Sequence, residues 1–470
     1  MMLDLHTAYE VFNTWFVLVL SLACATFASL HALLTKPDPK SAFGWIAVCW
    51  LVPLGGAILY GLFGINRVRA RARQLRGPAG AARSPPRITQ DASANHLMRV
   101  GDAVTQWPRV AGNALEALEN GENAFPAMLE AIAGAGRSVW LATYIFETDA
   151  VGRKFIDALA AAAARGVQVR VLVDGVGEWY SWPRAVSELR RAGVRARRFL
   201  PPRLVPPRLS LNMRNHRKLL LVDGKVGFLG GMNIGGREVG RAGVRRMADL
   251  HFKVRGPVLQ QLGEAFRIDW LFSARETLSV PEAPPASGEC TCRVITEGPD
   301  EDNDKLVSVM LAAVSLAREQ LLMMTPYFIP PPELVSALQS AALRGVDVTL
   351  VLPERSNLRY VDWASTRWLQ PLVERGVQVL LQPPPFAHTK LLVMDGCYAQ
   401  VGSANLDSRS LRLNFEIALE IHDAATCRRL GAYVIEARDR SKPLTAPMLG
   451  ALTLPARVRN SLFWLLSPYL

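Results

Sequence analysis

Residues 216–233 and 388–405 carry His, Lys, Asp, Gly and Asn at the same offsets of 0, 2, 7, 14 and 17. The first element reads His216-Arg-Lys218, then Asp223, Gly230 and Asn233; the second reads His388-Thr-Lys390, then Asp395, Gly402 and Asn405. Five coincident polar and glycine positions mark an internal duplication, so the chain must fold as two like halves. The flanking sequence repeats too. Residues 155–165 and 334–344 have helical patterns, and each leads into a nearly continuous apolar run, 166–173 and 345–352. Strand candidates precede them at 139–146 and 321–328, and a second helix follows in both halves, ending at 192–194 and 375–377. Strand–helix–strand alternation with apolar strands predicts an α/β fold, layered around a largely buried sheet and made twice.

Each element also predicts a chemistry. His and Lys two apart on an extended strand point to the same face. Asp223-Gly224 and Asp395-Gly396 are hairpin-type pairs, so each strand returns antiparallel and delivers Asn233 or Asn405 near its histidine. Imidazole, ammonium and carboxamide together suit a phosphodiester. Lys218, Lys390, Asn233 and Asn405 stabilise charge on the phosphoryl oxygens, while His216 and His388 attack or move a proton. Gly231 and Ser403 let backbone N–H groups approach an anion. Asp223 and Asp395 sit at turns, where fixing the hairpin and touching substrate are both open to them. Zinc is not expected: His-x-Lys puts a cation where a ligand is needed, and no Cys or His cluster accompanies it.

Residues 11–34 and 41–65 run without a formal charge. Each exceeds the roughly 20 apolar residues that cross a bilayer as a helix. A cleaved signal fits poorly, since no basic segment precedes the first run and a second follows at once. The expectation is a two-helix transmembrane hairpin, its second helix kinked or loosened by Pro53 and the Gly55-Gly56 pair. Arg67, Arg69, Arg71, Arg73 and Arg76 follow it, whereas the loop inside it holds Lys36 and Lys40, so the bulk of the chain should face the cytoplasm. Lys and Arg total 54 against 41 acids, a formal charge of +13, which favours an anionic partner. The six cysteines form no regular framework and read as free thiols. Composition divides the chain into an anchor (1–76), a linker (77–105), a first half (106–272), a second linker (273–292) and a second half (293–470). The apolar tail 460–470 reads as packed or interfacial, and Trp179-Tyr-Ser-Trp182 as a headgroup contact, a core cluster or a solvated loop.

The paired His-x-Lys elements resemble the signature of the phospholipase D superfamily. Within it, the double apolar run, Tyr144-Ile-Phe-Glu-Thr-Asp149, Asn215-His-Arg-Lys218, Gly230-Gly-Met-Asn233 and Thr325-Pro-Tyr-Phe328 resemble bacterial cardiolipin synthases, over essentially the whole chain. Gly231, where the second half has Ser403, departs from the general superfamily pattern and resembles the first motif of that subgroup. The resemblance implies two phospholipase D-like α/β halves sharing one active site, with His216, Lys218, Asp223, His388, Lys390 and Asp395 as its catalytic set. It adds Asn233 and Asn405, and two histidine-orienting acids, Glu416 and Asp249. One histidine, His216 by analogy, would attack the phosphorus of a phosphatidyl lipid while His388 serves as acid and base; the residues alone leave the two interchangeable. Phosphatidylglycerol would be donor and acceptor, with glycerol departing. No cofactor, metal or nucleic acid is implied; the partners are phosphatidylglycerol, other anionic phospholipids and the membrane. The implied location is the bacterial inner membrane, multi-pass, with a cytoplasmic catalytic part. The same site also serves a phospholipase D hydrolysing to phosphatidic acid, or a synthase taking phosphatidylethanolamine. A superfamily nuclease has no use for the apolar runs, and an idle scaffold has none for intact His-Lys pairs.

Overall fold

The computed structural model describes residues 2–36, 39–65, 96–105, 107–202, 213–240, 246–298 and 304–467. The apolar amino end forms the body of one compact unit, and the duplicated part of the chain the body of a second. The arginines at 67–76 and the first linker up to residue 95 lie outside the described residues.

In the amino unit, helix α1 (Met2–Thr35) contains the segment Asn13–Thr35, the one helix among the described residues long and apolar enough to cross a membrane. Trp15, Val19, Phe27 and Leu33 are exposed along it, as a lipid-facing helix requires. The second apolar run differs from the expected spanning helix. Pro53 opens a new helix where it cannot continue the old one, dividing the run into α2 (Pro39–Leu51) and α3 (Pro53–Leu59), with a wide turn over Tyr60–Gly64. At the usual helical rise, α2 covers about 20 Å against about 30 Å of hydrocarbon. Helix α3 then folds back along α2. Gly56 approaches so closely that a Cβ there would lie 2.3 Å from the Val48 carbonyl oxygen. Tyr60 meets Trp45 edge-on at 5.4 Å, and its hydroxyl lies 2.7 Å from His31 Nδ1. Lys36 Nζ donates to the Gly64 carbonyl at 2.6 Å, so the second run returns to the end of α1. Among the described residues there is thus one helix of spanning length, followed by a shorter folded-back pair, where two helices of spanning length were expected.

The second unit is built on one fifteen-stranded sheet: fourteen strands form two halves that mirror each other, and a short strand, Lys442–Pro443, lies at the outer edge of the second half. Its first half uses β1 (Val110–Glu119), β2 (Ser138–Thr143), β3 (Gln168–Asp174), β4 (Arg195–Phe199), β5 (Leu219–Val222), β6 (Val226–Gly230) and β7 (Leu250–Arg255). The second half uses β8 (Cys290–Glu297), β9 (Gln320–Met324), β10 (Asp347–Pro353), β11 (Gln378–Gln382), β12 (Leu391–Met394), β13 (Tyr398–Gly402) and β14 (Glu416–His422). From the centre outward the first half runs β1-β7-β6-β5-β2-β3-β4, and the second β8-β14-β13-β12-β9-β10-β11, with β1 and β8 antiparallel at the seam. In each half the outer three strands are parallel, as the helical crossovers predict, and the hairpins are antiparallel. Each half keeps its own apolar core, centred on Phe125, Phe155 and Val171 in the first and on Leu306, Leu338 and Leu350 in the second.

The stretch 77–105, expected as linker, contains a helix, His96–Val104. Leu97 is buried in the core of the second half, and Asp102 pairs with the fully buried Arg293, which also holds Glu420. An ion pair and an apolar anchor hold this helix down, where a count of Pro and Gly registered only its flank. The second linker is irregular over 275–289, and its end, from Cys290, is already strand β8.

Candidate active site

The two His-x-Lys elements lie at corresponding places on the mirrored halves, and each is stitched to the other half by its backbone. His216 N–H donates to the Phe415 carbonyl at 2.9 Å, and Phe415 N–H donates to the Arg214 carbonyl at 2.8 Å. Correspondingly, His388 N–H donates to the Ala248 carbonyl at 2.7 Å, beside the parallel pairing of Phe386–Ala387 with Met247–Ala248. Arg217 reinforces the first junction: it pairs with Asp269 at 2.7 Å and donates to the Glu416 carbonyl at 3.0 Å.

The side chains cross in the same way. His216 Nδ1 lies 3.0 and 3.1 Å from the two carboxylate oxygens of Glu416, in the second half. His388 Nδ1 lies 2.8 Å from Asp249 Oδ2, in the first. A carboxylate on Nδ1 places the proton there, which leaves Nε2 with the lone pair. Burial would raise the Glu416 carboxyl, but His216 and Lys218 hold it below its ordinary range. The crossing makes the two halves one site.

Lys218 Nζ donates back to the His216 carbonyl at 2.7 Å, and Lys390 Nζ to that of His388, which aims both ammonium groups at the histidines. Burial depresses all four cationic groups: Lys218 to about 7, His388 to about 4, and His216 and Lys390 in the same direction. Lys390 adds to the depression of His216 and Lys218, and Lys218 to that of His388, so the charges of both halves act on one another. Both imidazoles are thus held neutral at pH 7. A negative charge brought beside them would oppose that depression and favour the protonated form.

Asp223 and Asp395, placed in the expected catalytic set, are not with the histidines. They open the turns after β5 and β12, where Asp223 and Gly224 have φ of 54° and 67°, and Asp395 and Gly396 of 48° and 60°. Such paired positive values define the tight hairpin turn. Asp223 accepts from the backbone N–H groups of Gly136, Arg137 and Ser138 at 2.7–2.9 Å; Asp395 accepts from Arg318, Glu319 and Gln320 at 2.8–2.9 Å. Each carboxylate ties its hairpin to the strand that enters beside it. Removing one, as in Asp395→Ala, strips three donors of a charged acceptor and is expected to cost about 2–4 kcal/mol of stability. The turnover of the remaining folded protein should stay within about threefold of wild type. Denaturant melts paired with rates per folded molecule check this; a large turnover loss with unchanged stability would return Asp395 to the chemistry.

Asn233 spends its carbonyl oxygen on the Ile145 N–H at 3.1 Å, which holds the loop after β2. Asn405 donates to Ser410 Oγ at 3.3 Å, and its buried Oδ1 has no hydrogen-bond partner among the described residues. The departure at Gly231 has a steric cause: a Cβ there would meet Asp249 Oδ2 at 2.2 Å and displace the acid that orients His388. Its counterpart Ser403 instead donates its hydroxyl to Glu416.

Two residues outside the expected set belong to the site. Tyr144, at the end of β2, lies edge-on to His216 at 5.2 Å, with Lys218 Nζ 5.5 Å from its ring centre. Glu238 is buried beside Asp249 and accepts from the Asn233 N–H at 3.1 Å. Burial, with the charge of Asp249, pushes it from 4.5 up to about 8, so it is a neutral acid at pH 7. Folded Glu238 therefore binds its proton more tightly than unfolded Glu238, and stability falls as pH rises from about 4.5 to about 8. Glu238→Gln should flatten that decline and leave the protein about 2–4 kcal/mol more stable at pH 8 than wild type. Thermal melts at pH 5 and pH 8 check it, and equal pH slopes would contradict it. Its position in the repeat concealed it, because the same offset after Asn405 holds Ser410.

A family model described as cardiolipin synthase, phospholipase D-like domain, matches residues 128–270 and 310–436. A cardiolipin synthase of Geobacillus thermodenitrificans is 32% identical over 470 residues, covering 96% of this chain and 93% of its own. Cardiolipin synthase A of Pseudomonas fluorescens is 33% identical over 86% of this chain and 88% of its own. Among solved structures, a phosphatidylserine synthase of Haemophilus influenzae superposes with a TM-score of 0.62 at 16% identity, covering 80% of this chain and all of that one.

Proposed function

The chain belongs to the cardiolipin synthases of the phospholipase D superfamily, and on that premise we propose that it moves a phosphatidyl group from one phosphatidylglycerol to another through a phosphohistidine. The observation that carries this reading is the crossing of Glu416 onto His216 and Asp249 onto His388 through Nδ1, which turns both Nε2 atoms away from the acids; that of His388 lies 3.1 Å from Lys390 Nζ, which a diester would draw to its own oxygens. The neutral His216 attacks phosphorus, and its imidazole is the more exposed of the two, at 13% against 7%. The diester's negative charge supports protonation of His388, which gives its proton to the departing glycerol oxygen. His388, neutral again, takes the proton from a headgroup hydroxyl of the second phosphatidylglycerol, whose oxygen displaces His216 from phosphorus. Lys218 and Lys390 meet the charge that develops on the phosphoryl oxygens. The unpaired Oδ1 of Asn405 suits an incoming hydroxyl donor. One diester replaces another, so no nucleotide is consumed.

The site reads as that of a bacterial inner-membrane enzyme anchored through α1, with the arginines after residue 65 favouring a cytoplasmic catalytic part. The test is incubation of membranes carrying the protein with labelled phosphatidylglycerol, alone and with phosphatidylethanolamine, followed by lipid analysis. Cardiolipin with free glycerol from phosphatidylglycerol alone is the expected result. Phosphatidic acid alone would make the protein a hydrolase, and product only with phosphatidylethanolamine present would change the donor.

A further inference from the structure

The carboxyl-terminal helix Leu454–Leu465 has two faces with opposite fates. One is docked on the helix Arg359–Glu374: Phe463 packs against Trp363 at 5.0 Å, Trp464 against Trp368 at 6.1 Å, and Asn460 donates to Thr366 at 3.3 Å. The other carries Leu454, Val458, Leu462 and Leu465, spaced four, four and three residues apart, as one helical stripe demands. These four are 72%, 51%, 59% and 64% exposed. Four large apolar side chains held outward in a line are unusual on a surface that meets only water. Arg457 and Arg459 lie exposed on the same helix, and no Asp or Glu occurs anywhere from Ser441 to Leu470. A second exposed apolar feature stands on the first half, where Trp179 is 51% and Trp182 84% exposed.

Both features connect to the catalytic histidines through aromatic rings. On the first half, His216 meets Tyr144 at 5.2 Å and Tyr144 meets Tyr180 at 6.4 Å, within the Trp179–Trp182 loop. On the second, His388 meets Phe386 at 6.0 Å and Phe386 meets Tyr327 at 6.2 Å; Tyr327 shares an apolar cluster with Phe463. Tyr360 stacks on Phe463 at 6.4 Å, and Tyr180 is near enough to Tyr327 and Tyr360 to act electrostatically on both phenols, so the loop approaches the apolar cluster on which the helix docks.

We propose that the stripe on Leu454–Leu465, together with Trp179 and Trp182, seats in the interfacial layer of an anionic bilayer. This second membrane contact lies at the other end of the chain from the amino-terminal helices and brings the histidine site to lipid. The reading of the site as one for phosphatidyl lipids supplies the reason for the contact, because a diester at headgroup depth reaches a buried histidine only where protein and membrane adjoin. Apolar residues on one face, arginines beside them and tryptophans at the rim are what interfacial binding selects.

The test uses the full chain in phosphatidylglycerol vesicles containing a trace of phosphatidylcholine with a photoreactive group near the head of its acyl chain, and does not depend on turnover. Peptides spanning 454–466 and 177–184 should be labelled in addition to those of the amino end. Leu462→Glu with Leu465→Glu should cut labelling of 454–466 by about fivefold or more. Activity on vesicle phosphatidylglycerol should fall by about tenfold, while activity on a short-chain, monomeric phosphatidylglycerol stays within about twofold. Label confined to the amino end overturns the proposal. So does an equal fall on vesicle and monomeric substrate, which would make the stripe a folding element, or a change of oligomeric state with labelling unaltered, which would make it a contact between copies. A wild-type chain that is labelled at both segments but makes no cardiolipin would keep the membrane contact and remove the lipid-transfer reading.

Discussion

Replacing either histidine with alanine, His216→Ala or His388→Ala, is expected to lower cardiolipin formation by about 10⁴-fold or more, and the double variant to be no slower than the worse single one. The non-additivity follows from the crossing. Each imidazole is oriented by an acid of the opposite half, so neither half contains a working unit of its own. Two independent sites would give a different pattern: about half the activity in each single variant and none in the double. The variants should differ in the step they stop. His216→Ala has no nucleophile and should form no covalent species. His388→Ala keeps the nucleophile but lacks a proton for the departing glycerol oxygen, so it should form the phosphohistidine slowly and fail to pass it on. Rates for the three variants, measured at matched membrane content, decide between one site and two.

The second large effect is expected at the orienting acids. Glu416→Ala removes the carboxylate that lies 3.0 Å from His216 Nδ1 and also frees the Ser403 hydroxyl. Asp249→Ala removes the partner of His388 Nδ1 at 2.8 Å. Losing such a group costs the tautomer as well as the ring's position, and each variant should lose about 10²–10⁴-fold in kcat. KM should move little. Glu416→Gln and Asp249→Asn, which keep shape but accept a proton less readily, should retain most of the fold stability and little of the activity. Gly231→Ala adds a third route to the same defect, because its Cβ would occupy the place of the Asp249 carboxylate. If Gly231→Ala kept full activity, Asp249 would not be acting on His388 from where it stands.

Much of this site was legible in the sequence because duplication prints the same residues twice. His216, Lys218, Asn233 and their counterparts were found by that signal, and the mirrored sheet follows from it. The crossing was not legible. Glu416 and Asp249 follow their half's histidine by unequal distances along the chain, and spacing does not record that each acid serves the other half's ring. Asp223 and Asp395 show the opposite failure. Their spacing recurs as faithfully as that of the histidines, but for a folding reason: each caps three backbone donors where a hairpin meets its neighbouring strand. Glu238 was hidden because its counterpart is Ser410, so comparing the halves discards it. At the amino end, the length of an apolar run says nothing about where a proline starts a new helix, and Pro53 divides a run that hydropathy alone reads as one span.

The most direct measurement is a detergent quench at alkaline pH, where a phosphorus–nitrogen bond survives, of the protein turning over phosphatidylglycerol radiolabelled at phosphorus, followed by peptide mapping at the same pH. One equivalent of label per chain, acid-labile and confined to the peptide bearing His216, is the expected result. Label on the His388 peptide in equal amount, or two equivalents per chain, would mean that each half works for itself.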